Sequence, residues 1–267
     1  MISARDFLIR GLLAGLLAAF AAFAVAYVVG EPPVRAAIAL EASGGHSHGA
    51  ETEAAGEHSD AAEEAPAPGE VEVPRSLQST VGMLTGMLVA GTVLGGLIGV
   101  VSALAMGRFG RLSARSSTLA VTGIGFVTVY AVPFLLYPPN PPAVGSGDTI
   151  GIRTALFFVF LAISLIAAMT AVLVGRRAAG RLGGWYASLA AIVGYVVVML
   201  IVMALLPTYN EVPDNFPASV LYDFRRASFL TQFTLWAVLG IVLAEFVGRL
   251  SGPTAATAER ELADAGA

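Results

Sequence analysis

Residues 81–106 read VGMLTGMLVAGTVLGGLIGVVSALAM and contain no charged side chain. About 20 apolar residues in a helix cross the hydrocarbon core of a bilayer, and a helix satisfies its own backbone hydrogen bonds in lipid. Glycines recur in this run at about four-residue spacing, which lets helices approach closely; they are Gly82, Gly86, Gly91, Gly95, Gly96 and Gly99. The run therefore predicts a membrane-spanning helix packed tightly against another, and the alternative is a thin helix that lines a path.

Five further apolar runs have a similar length and lie at residues 7–29, 118–136, 154–175, 185–206 and 229–250. The chain is 56% hydrophobic and 13% charged, whereas about a quarter of the residues in a soluble domain are charged. We therefore predict an all-α fold, a polytopic membrane protein whose six-transmembrane-helix bundle occupies residues 1–250. Residues 251–267 are predicted to form a loose cytoplasmic tail.

The arginines indicate how this bundle lies in the membrane, because short cytoplasmic loops carry an excess of basic residues. Alternate ends of the six runs carry ten arginines, and the opposite ends carry five. Fourteen of the nineteen acids lie at the arginine-poor ends. Both termini are therefore predicted to be cytoplasmic, and the long segment between the first two runs is predicted to lie outside.

The first run has an alternative interpretation as a secretory signal. Arg5 and Arg10 precede an apolar stretch, and Ala24-Val25-Ala26 resembles a cleavage site. The stretch is longer than the apolar core of a typical signal peptide, so a retained first helix is favoured. Cleavage would leave five helices.

Missing residue types exclude several functions. The chain has no cysteine, and all 15 of its basic residues are arginine, so it has neither a thiolate metal site nor the lysine of a phosphate-binding P-loop. A net charge of −4 leaves no basic stripe for nucleic acid. No pair of nucleophile and base is visible, and an enzyme is not predicted.

The segment between the first two runs, residues 43–75, is predicted to be a disordered outer loop. It contains all three histidines, His46, His48 and His58, together with eight acids. Low hydrophobicity and like charge favour disorder, while imidazole and carboxylate groups bind divalent cobalt, nickel, zinc or copper. The loop is interpreted as a weak collector of cations, and the alternative is a solvated acidic linker.

Three further groups of possible metal ligands lie at the predicted outer face. Glu31 and Glu41 flank a Pro-Pro step, Asn140 lies among four prolines in YPPNPPAVG (137–145), and Asn210 with Glu211 lies in LPTYNEVP (206–213). Prolines stiffen both turns, and amide and carboxylate oxygens suit hard divalent ions. Either turn could equally be a structural connection between helices.

Some polar or soft side chains lie within the apolar runs. Met83 and Met87 are one helical turn apart, as are Met199 and Met203; thioethers suit copper(I), but both pairs are interpreted as packing. Gln232 is predicted to face the bundle interior, where its amide needs a partner. Glu245 is predicted to pair with Arg249.

The order of several motifs resembles the CbtA family over nearly the whole chain. The motifs are RGLLAGLL (10–17), GEPPVRAAIALE (30–41), YPPNPPAVG (137–145) and LPTYNEVP (206–213), followed by FPA (216–218) and DFR (223–225). The resemblance implies a predicted cobalt transporter subunit of the bacterial plasma (inner) membrane, with a cobalt ion as the transported substrate, nickel or zinc as alternatives, and no tightly bound cofactor. It also implies a small one-helix partner of the CbtB type that bears a histidine motif. The family is often described with five helices, whereas six fit this sequence better.

Two hypotheses follow for the function. In the first, the chain is the membrane subunit of a transporter that moves divalent cobalt inward. In the second, it is a non-transporting accessory or sensor subunit that binds metal. The second is favoured by the lack of histidine, aspartate or cysteine in the middle of any run, and the first by the resemblance.

Overall fold

The computed structural model describes residues 3–47, 74–108 and 112–250, and within these ranges the regular structure is entirely helical. Five helices are long and apolar enough to cross a membrane. They are α1 (Ala4–Ser43, continuing as helix to Ser47), α2 (Arg75–Ala105), α3 (Ala114–Leu136), α4 (Gly147–Leu205) and α5 (Ala218–Leu250). The predicted all-α class is confirmed. Most of the predicted outer loop, residues 48–73, and the tail, residues 251–267, lie outside the described residues.

A turn of π-helix interrupts each of the first three helices. These turns are Ala26–Gly30 in α1, Gln78–Gly82 in α2 and Phe126–Ala131 in α3. In α1 a regular helix resumes at Glu31 and runs to Ser47, so Pro32 and Pro33 occupy its first turn, where proline is tolerated. The first helix is therefore longer than the predicted run of 7–29, because the π-turn lets the chain pass two prolines without ending the helix.

The fourth helix, α4, is broken at Gly183, where the backbone adopts φ 77° and ψ 157°. On either side of this break, the hydroxyls of Ser164 and Tyr195 lie only 2.9 Å apart. In a straight helix these residues would be separated by about 45 Å, at 1.5 Å per residue. The two arms of α4 therefore fold back on each other, and a glycine is needed at the reversal because other residues strain at positive φ.

The contact between α1 and α2 is made by backbone rather than by side chains. A Cβ atom built on Gly11 would lie 2.2 Å from the carbonyl oxygen of Gly95, and one on Gly15 would lie 2.1 Å from that of Gly91. Gly99 meets the backbone of Phe7 in the same way. The predicted tight packing is confirmed for these glycines, whereas Gly86 faces open space.

Two apolar clusters hold the remaining helices. The larger cluster joins α1, α2 and α3 to α5 around Leu239, Leu243 and Val247, which are fully buried. The smaller cluster joins α4 to α3 and contains Phe160, Tyr195 and Met199, with Met203 packed against it. Met199 and Met203 therefore serve packing in this structure, as predicted.

A hydrogen bond also joins α4 to the π-turn of α3. The hydroxyl of Ser164, which is fully buried, donates to the carbonyl oxygen of Thr128 at 2.8 Å, and the same hydroxyl lies beside Tyr195. A π-turn disturbs the normal pattern of backbone hydrogen bonds, so a carbonyl in it becomes accessible to another helix. The hydrogen bond from Ser164 to that carbonyl fixes the position of the α4 arms against α3.

The bundle has two chemically different ends. At one end, here called the Arg115 end, Glu245 pairs with Arg115 at 3.0 Å and with Arg249 at 2.9 Å; the predicted pair of Glu245 and Arg249 is confirmed. At the other, here called the Glu211 end, the loops 137–149 and 206–217 meet the C-terminal part of α1.

A matched pair of alanine substitutions in α2 tests the backbone contact. Gly95→Ala places a methyl group 2.2 Å from a carbonyl oxygen of α1, so we expect it to lower the free energy of unfolding by roughly 3 kcal/mol, the upper range for overpacking. Gly86→Ala, in the same helix but facing open space, should leave that energy unchanged or raise it. Unfolding in mixed micelles followed by circular dichroism measures both, and equal effects would contradict the assignment.

Candidate functional site

Glu211 links the two loops at the Glu211 end. Its carboxylate accepts a hydrogen bond from the backbone N–H of Ser146 at 2.8 Å, and it is also contacted by the Thr149 hydroxyl and the Arg153 guanidinium. The side chain is 15% exposed. The hydrogen bond from Thr149, followed by that from Ser146 and the charge of Arg153, holds the pKa of Glu211 below its ordinary value of 4.5. Glu211 thus fastens the loop after α4 to the start of α4.

Asn140 and Tyr137 fasten the proline-rich loop after α3. Arg225 of α5 donates to the side-chain oxygen of Asn140 at 3.1 Å, and the Tyr137 hydroxyl donates to the carbonyl oxygen of Pro207 at 2.9 Å. The prolines around Asn140 restrict the backbone further. The loop is therefore attached both to a helix and to the neighbouring loop.

Asn210 has a more local role than its neighbour. Its side-chain oxygen accepts from the N–H of Val212 at 3.4 Å, and the residue is exposed. This is the two-residue contact by which asparagine mimics a backbone turn. Asn210 therefore shapes the turn that presents Glu211 to its partners.

These loops and the end of α1 enclose an open cleft of about 740 Å³. Its walls are residues 141–147, residues 213–217 with the exception of Asp214, and Leu40, Glu41 and Ser43 of α1, while Arg153 lies at its base beside Glu211. Glu41 is exposed and has no hydrogen bond or ion pair with the described residues. Among the described residues, Glu41 thus supplies an unpaired carboxylate to the cleft, beside the carbonyl and amide groups of the loops.

Glu31 is placed differently from Glu41. It is 2% exposed and accepts from Arg35 at 3.0 Å and from Arg75 at 3.0 Å on both of its oxygens. The two glutamates are about 15 Å apart along the helix, at 1.5 Å per residue. A buried carboxylate is stable when paired and hydrogen-bonded, so Glu31 joins α1 to the start of α2.

The structure brings only part of the predicted ligand set together. Glu41 lines the cleft, and Glu211 contacts Arg153 of its wall without lining it. Asn140 and Asn210 support its loops, and Glu31 is not part of its wall. His46 is in the last turn of the first helix, with its side chain outside the described residues; His48 and His58 are outside them entirely. Among the described residues, no group of three or more histidine, aspartate or glutamate side chains could hold a metal ion.

A second cavity, of about 550 Å³, lies between the helices, is about as open as the first cleft, and was not anticipated from the sequence. All five helices contribute to its wall, which includes Met83, Met87, Tyr130 and Gln232. The Tyr130 hydroxyl is buried without a hydrogen-bond partner. Gln232 faces the interior, as predicted, but its amide makes no hydrogen bond to the described residues. Met83 and Met87 belong to this wall, and Met87 also packs against the larger apolar cluster, as predicted.

The only feature of the sequence that could have indicated this cavity is the spacing of Met83 and Met87. Two residues four apart share a helix face, which indicates that they have a common neighbour but not whether that neighbour is protein or space. Met199 and Met203 have the same spacing, but they contact the smaller apolar cluster and are not part of this wall. The choice between the two outcomes depends on the helices opposite.

Acidification tests Glu211. Because folding lowers the pKa of Glu211, its contribution to stability is complete above the ordinary value of 4.5 and is lost as the pH falls through the lowered pKa. We expect the unfolding temperature of the wild type to fall more steeply below pH 4.5 than that of Glu211→Gln. Asp214→Asn, which changes an exposed acid in the same loop, should retain the wild-type pH dependence. A parallel profile for Glu211→Gln would contradict the linkage.

Comparison with known proteins agrees with the all-helical, apolar architecture. The family model described as "Probable cobalt transporter subunit (CbtA)" matches residues 4–248. No curated protein and no solved structure matches the chain. The matched region includes every helix described above, both loops of the cleft and the segment that contains the three histidines. The chain therefore belongs to the CbtA family of probable cobalt transporter subunits.

Proposed function

We propose that this chain is the membrane-embedded subunit of a system that takes up divalent cobalt across the bacterial inner membrane. The observation that carries the proposal is the cleft at the Glu211 end, where two tethered loops and the end of α1 surround the carboxylate of Glu41. A cation that arrives there meets oxygen ligands held by a rigid frame. Membership of a family of cobalt transporter subunits supplies the substrate class and implies partner subunits.

The proposed topology has six crossings with both termini in the cytoplasm. Five helices have the length and apolarity to cross a membrane, and the reversal of α4 at Gly183 provides two crossings from one of them. Arg108 and Arg115 lie at the end opposite Glu211, and Arg176, Arg177 and Arg181 lie close to the α4 reversal. The positive-inside tendency then places the Arg115 end in the cytoplasm and the cleft outside.

The predicted ligands fall into two groups according to their surroundings. Glu41 and the histidines His46, His48 and His58 are proposed to collect the ion, since the described helix that bears Glu41 runs directly into the histidine-containing segment. Asn140, Asn210 and Glu211 are proposed to act by holding the cleft in shape, because their side-chain oxygens already accept hydrogen bonds. Glu31 is proposed to hold the base of the segment through Arg75.

The chain has no lysine, and therefore no P-loop of its own. Energy coupling is assigned to other components of the system. The proposed partner is a small one-helix subunit with a histidine motif, of the CbtB type. Nickel and zinc are the competing substrates, because imidazole and oxygen ligands bind them as well.

A second candidate function is a non-transporting subunit that binds or senses metal. One observation favours it: among the described residues, no cluster of histidine, aspartate or glutamate could carry a metal ion through the bundle. In this case the cleft and the histidine-containing segment would bind cobalt without passing it inward.

Uptake of radiolabelled cobalt separates the two functions. Cells that lack their own cobalt uptake are given the full chain alone, the chain with its one-helix partner, or neither. We expect cobalt to accumulate with the pair, and less or none with the chain alone if the partner supplies part of the path. Glu41→Gln should reduce uptake at low cobalt, whereas Asp214→Asn should not. Absence of accumulation in every arm would overturn transport and favour the binding subunit.

The histidines are tested without changing the length of their segment. We expect His46→Asn, His48→Asn and His58→Asn together to weaken uptake at low cobalt concentration and to leave the maximal rate unchanged, because a collector raises local concentration without forming the path. The measurement is the concentration dependence of the initial rate. Deletion of residues 48–72 should behave in the same way. A lower maximal rate in the triple variant would instead assign the histidines to the path.

A further inference from the structure

We infer that the cavity between the five helices is a transit site for the transported cation, which it binds through neutral sulfur and oxygen donors. The donors are the thioether sulfurs of Met83 and Met87, the hydroxyl of Tyr130 and the side-chain amide of Gln232. This inference rests on the proposed function and extends it from the surface cleft to the interior of the bundle.

The position of the cavity is the first argument. It lies among α1, α2, α3, α4 and α5, and its wall includes Phe157 and Phe224 from the N-terminal parts of α4 and α5. Pro139 is part of this wall, and Pro141, two residues on, is part of the wall of the surface cleft. The proline-rich loop therefore contributes to the walls of both spaces.

The unused polar groups are the second argument. Buried hydroxyls in proteins nearly always have a hydrogen-bond partner, and an exception calls for an explanation. The Tyr130 hydroxyl is such an exception, and the Gln232 amide on the same wall has no partner among the described residues. Both groups retain oxygen lone pairs that a bound cation, or the water it carries, would use.

The backbone around the cavity is the third argument. Single π-turns in helices occur frequently at functional sites. Ala26 and Gly30 begin and end the π-turn of α1, Val129 and Tyr130 belong to that of α3, and all four line the cavity. In α2 the π-turn ends at Gly82, directly before Met83. The three irregular turns thus converge on the same region.

The donor types indicate which ions would pass. Magnesium and calcium require oxygen ligands and give up water reluctantly, whereas thioether sulfur favours softer transition metals. The described wall contains no carboxylate, so a divalent ion is bound without the strong attraction that a fixed charge would exert at low dielectric. A neutral mixed-donor site would therefore select against magnesium and still release its ion.

The test compares two methionine pairs with identical spacing. Met83→Leu with Met87→Leu removes both sulfurs of the cavity, while Met199→Leu with Met203→Leu removes two sulfurs from the separate cluster between α3 and α4. Leucine conserves volume, so both doubles should fold. We expect cobalt uptake at low concentration to fall at least about tenfold in the cavity double, the loss typical when even outer contacts to a metal are removed. Uptake by the cluster double should match the wild type, and equal behaviour of the two doubles overturns the inference.

A direct measurement uses the purified full chain in lipid nanodiscs with cobalt alone. X-ray absorption at the cobalt edge should show a sulfur neighbour in the wild type and in the cluster double, and none in the cavity double. The absence of sulfur from the wild-type spectrum overturns the inference. This readout does not need transport, so the cavity site is judged even if the wild type moves no cobalt in cells.

Tyr130→Phe separates a binding role from a structural one. The substitution removes only an oxygen that makes no hydrogen bond, so the unfolding temperature should stay the same or rise. Uptake at low cobalt should fall and magnesium should compete no better than in the wild type, since the sulfurs remain. Unchanged uptake, or a fall that accompanies lower stability, counts against Tyr130 as a donor.

Discussion

The backbones of α1 and α2 touch along Gly11, Gly15, Gly91, Gly95 and Gly99, at distances where no side chain fits. Lipid tails are as apolar as the helices, so association in a membrane depends on such close packing and on hydrogen bonds. This contact sets the angle and depth at which the two helices run. It brings Glu31 of α1 to Arg75 at the start of α2 and leaves room beyond the glycines for the cavity that contains Met83 and Met87.

The acidic side chains near the Glu211 end and the cavity that contains Met83 and Met87 occupy different parts of the bundle. The paired acids Glu31 and Glu211 and the uncommitted Glu41 lie toward one end, where loops and water lower the cost of charge. The described wall of the inner cavity has only neutral donors. A fixed carboxylate in a medium of low dielectric attracts a divalent ion strongly. An acidic end beside a cavity with neutral donors is consistent with the proposed function, in which a cation is first attracted and then passed on.

The sequence indicated which loops form the site, but it did not indicate most of the contacts that the residues of these loops make. The turns at Asn140 and Asn210–Glu211 were predicted to be rigid, because proline restricts the backbone. The structure adds side-chain hydrogen bonds that hold both turns. The partners of these residues were not predictable: Arg225 lies on a distant helix, and Thr149 and Arg153 belong to another loop and helix. Met83 and Met87 were predicted to serve packing, and Met87 does pack against the larger apolar cluster. Their part in the cavity wall was not predictable, because helix spacing says which side chains share a face and nothing about what faces them.

The sequence alone determined the helical class, the places where membrane-length helices lie and the asymmetry of charge between the two ends, since these follow from local composition and from the need of a backbone in lipid to bond to itself. It also showed which glycines could permit close approach. Only the tertiary structure decided that Gly91 and Gly95 are used while Gly86 is not, that α4 reverses at Gly183, and that Tyr130, Gln232 and two methionines meet in one cavity. Those outcomes depend on which helices lie opposite each other, and that is settled by packing between residues far apart in the chain.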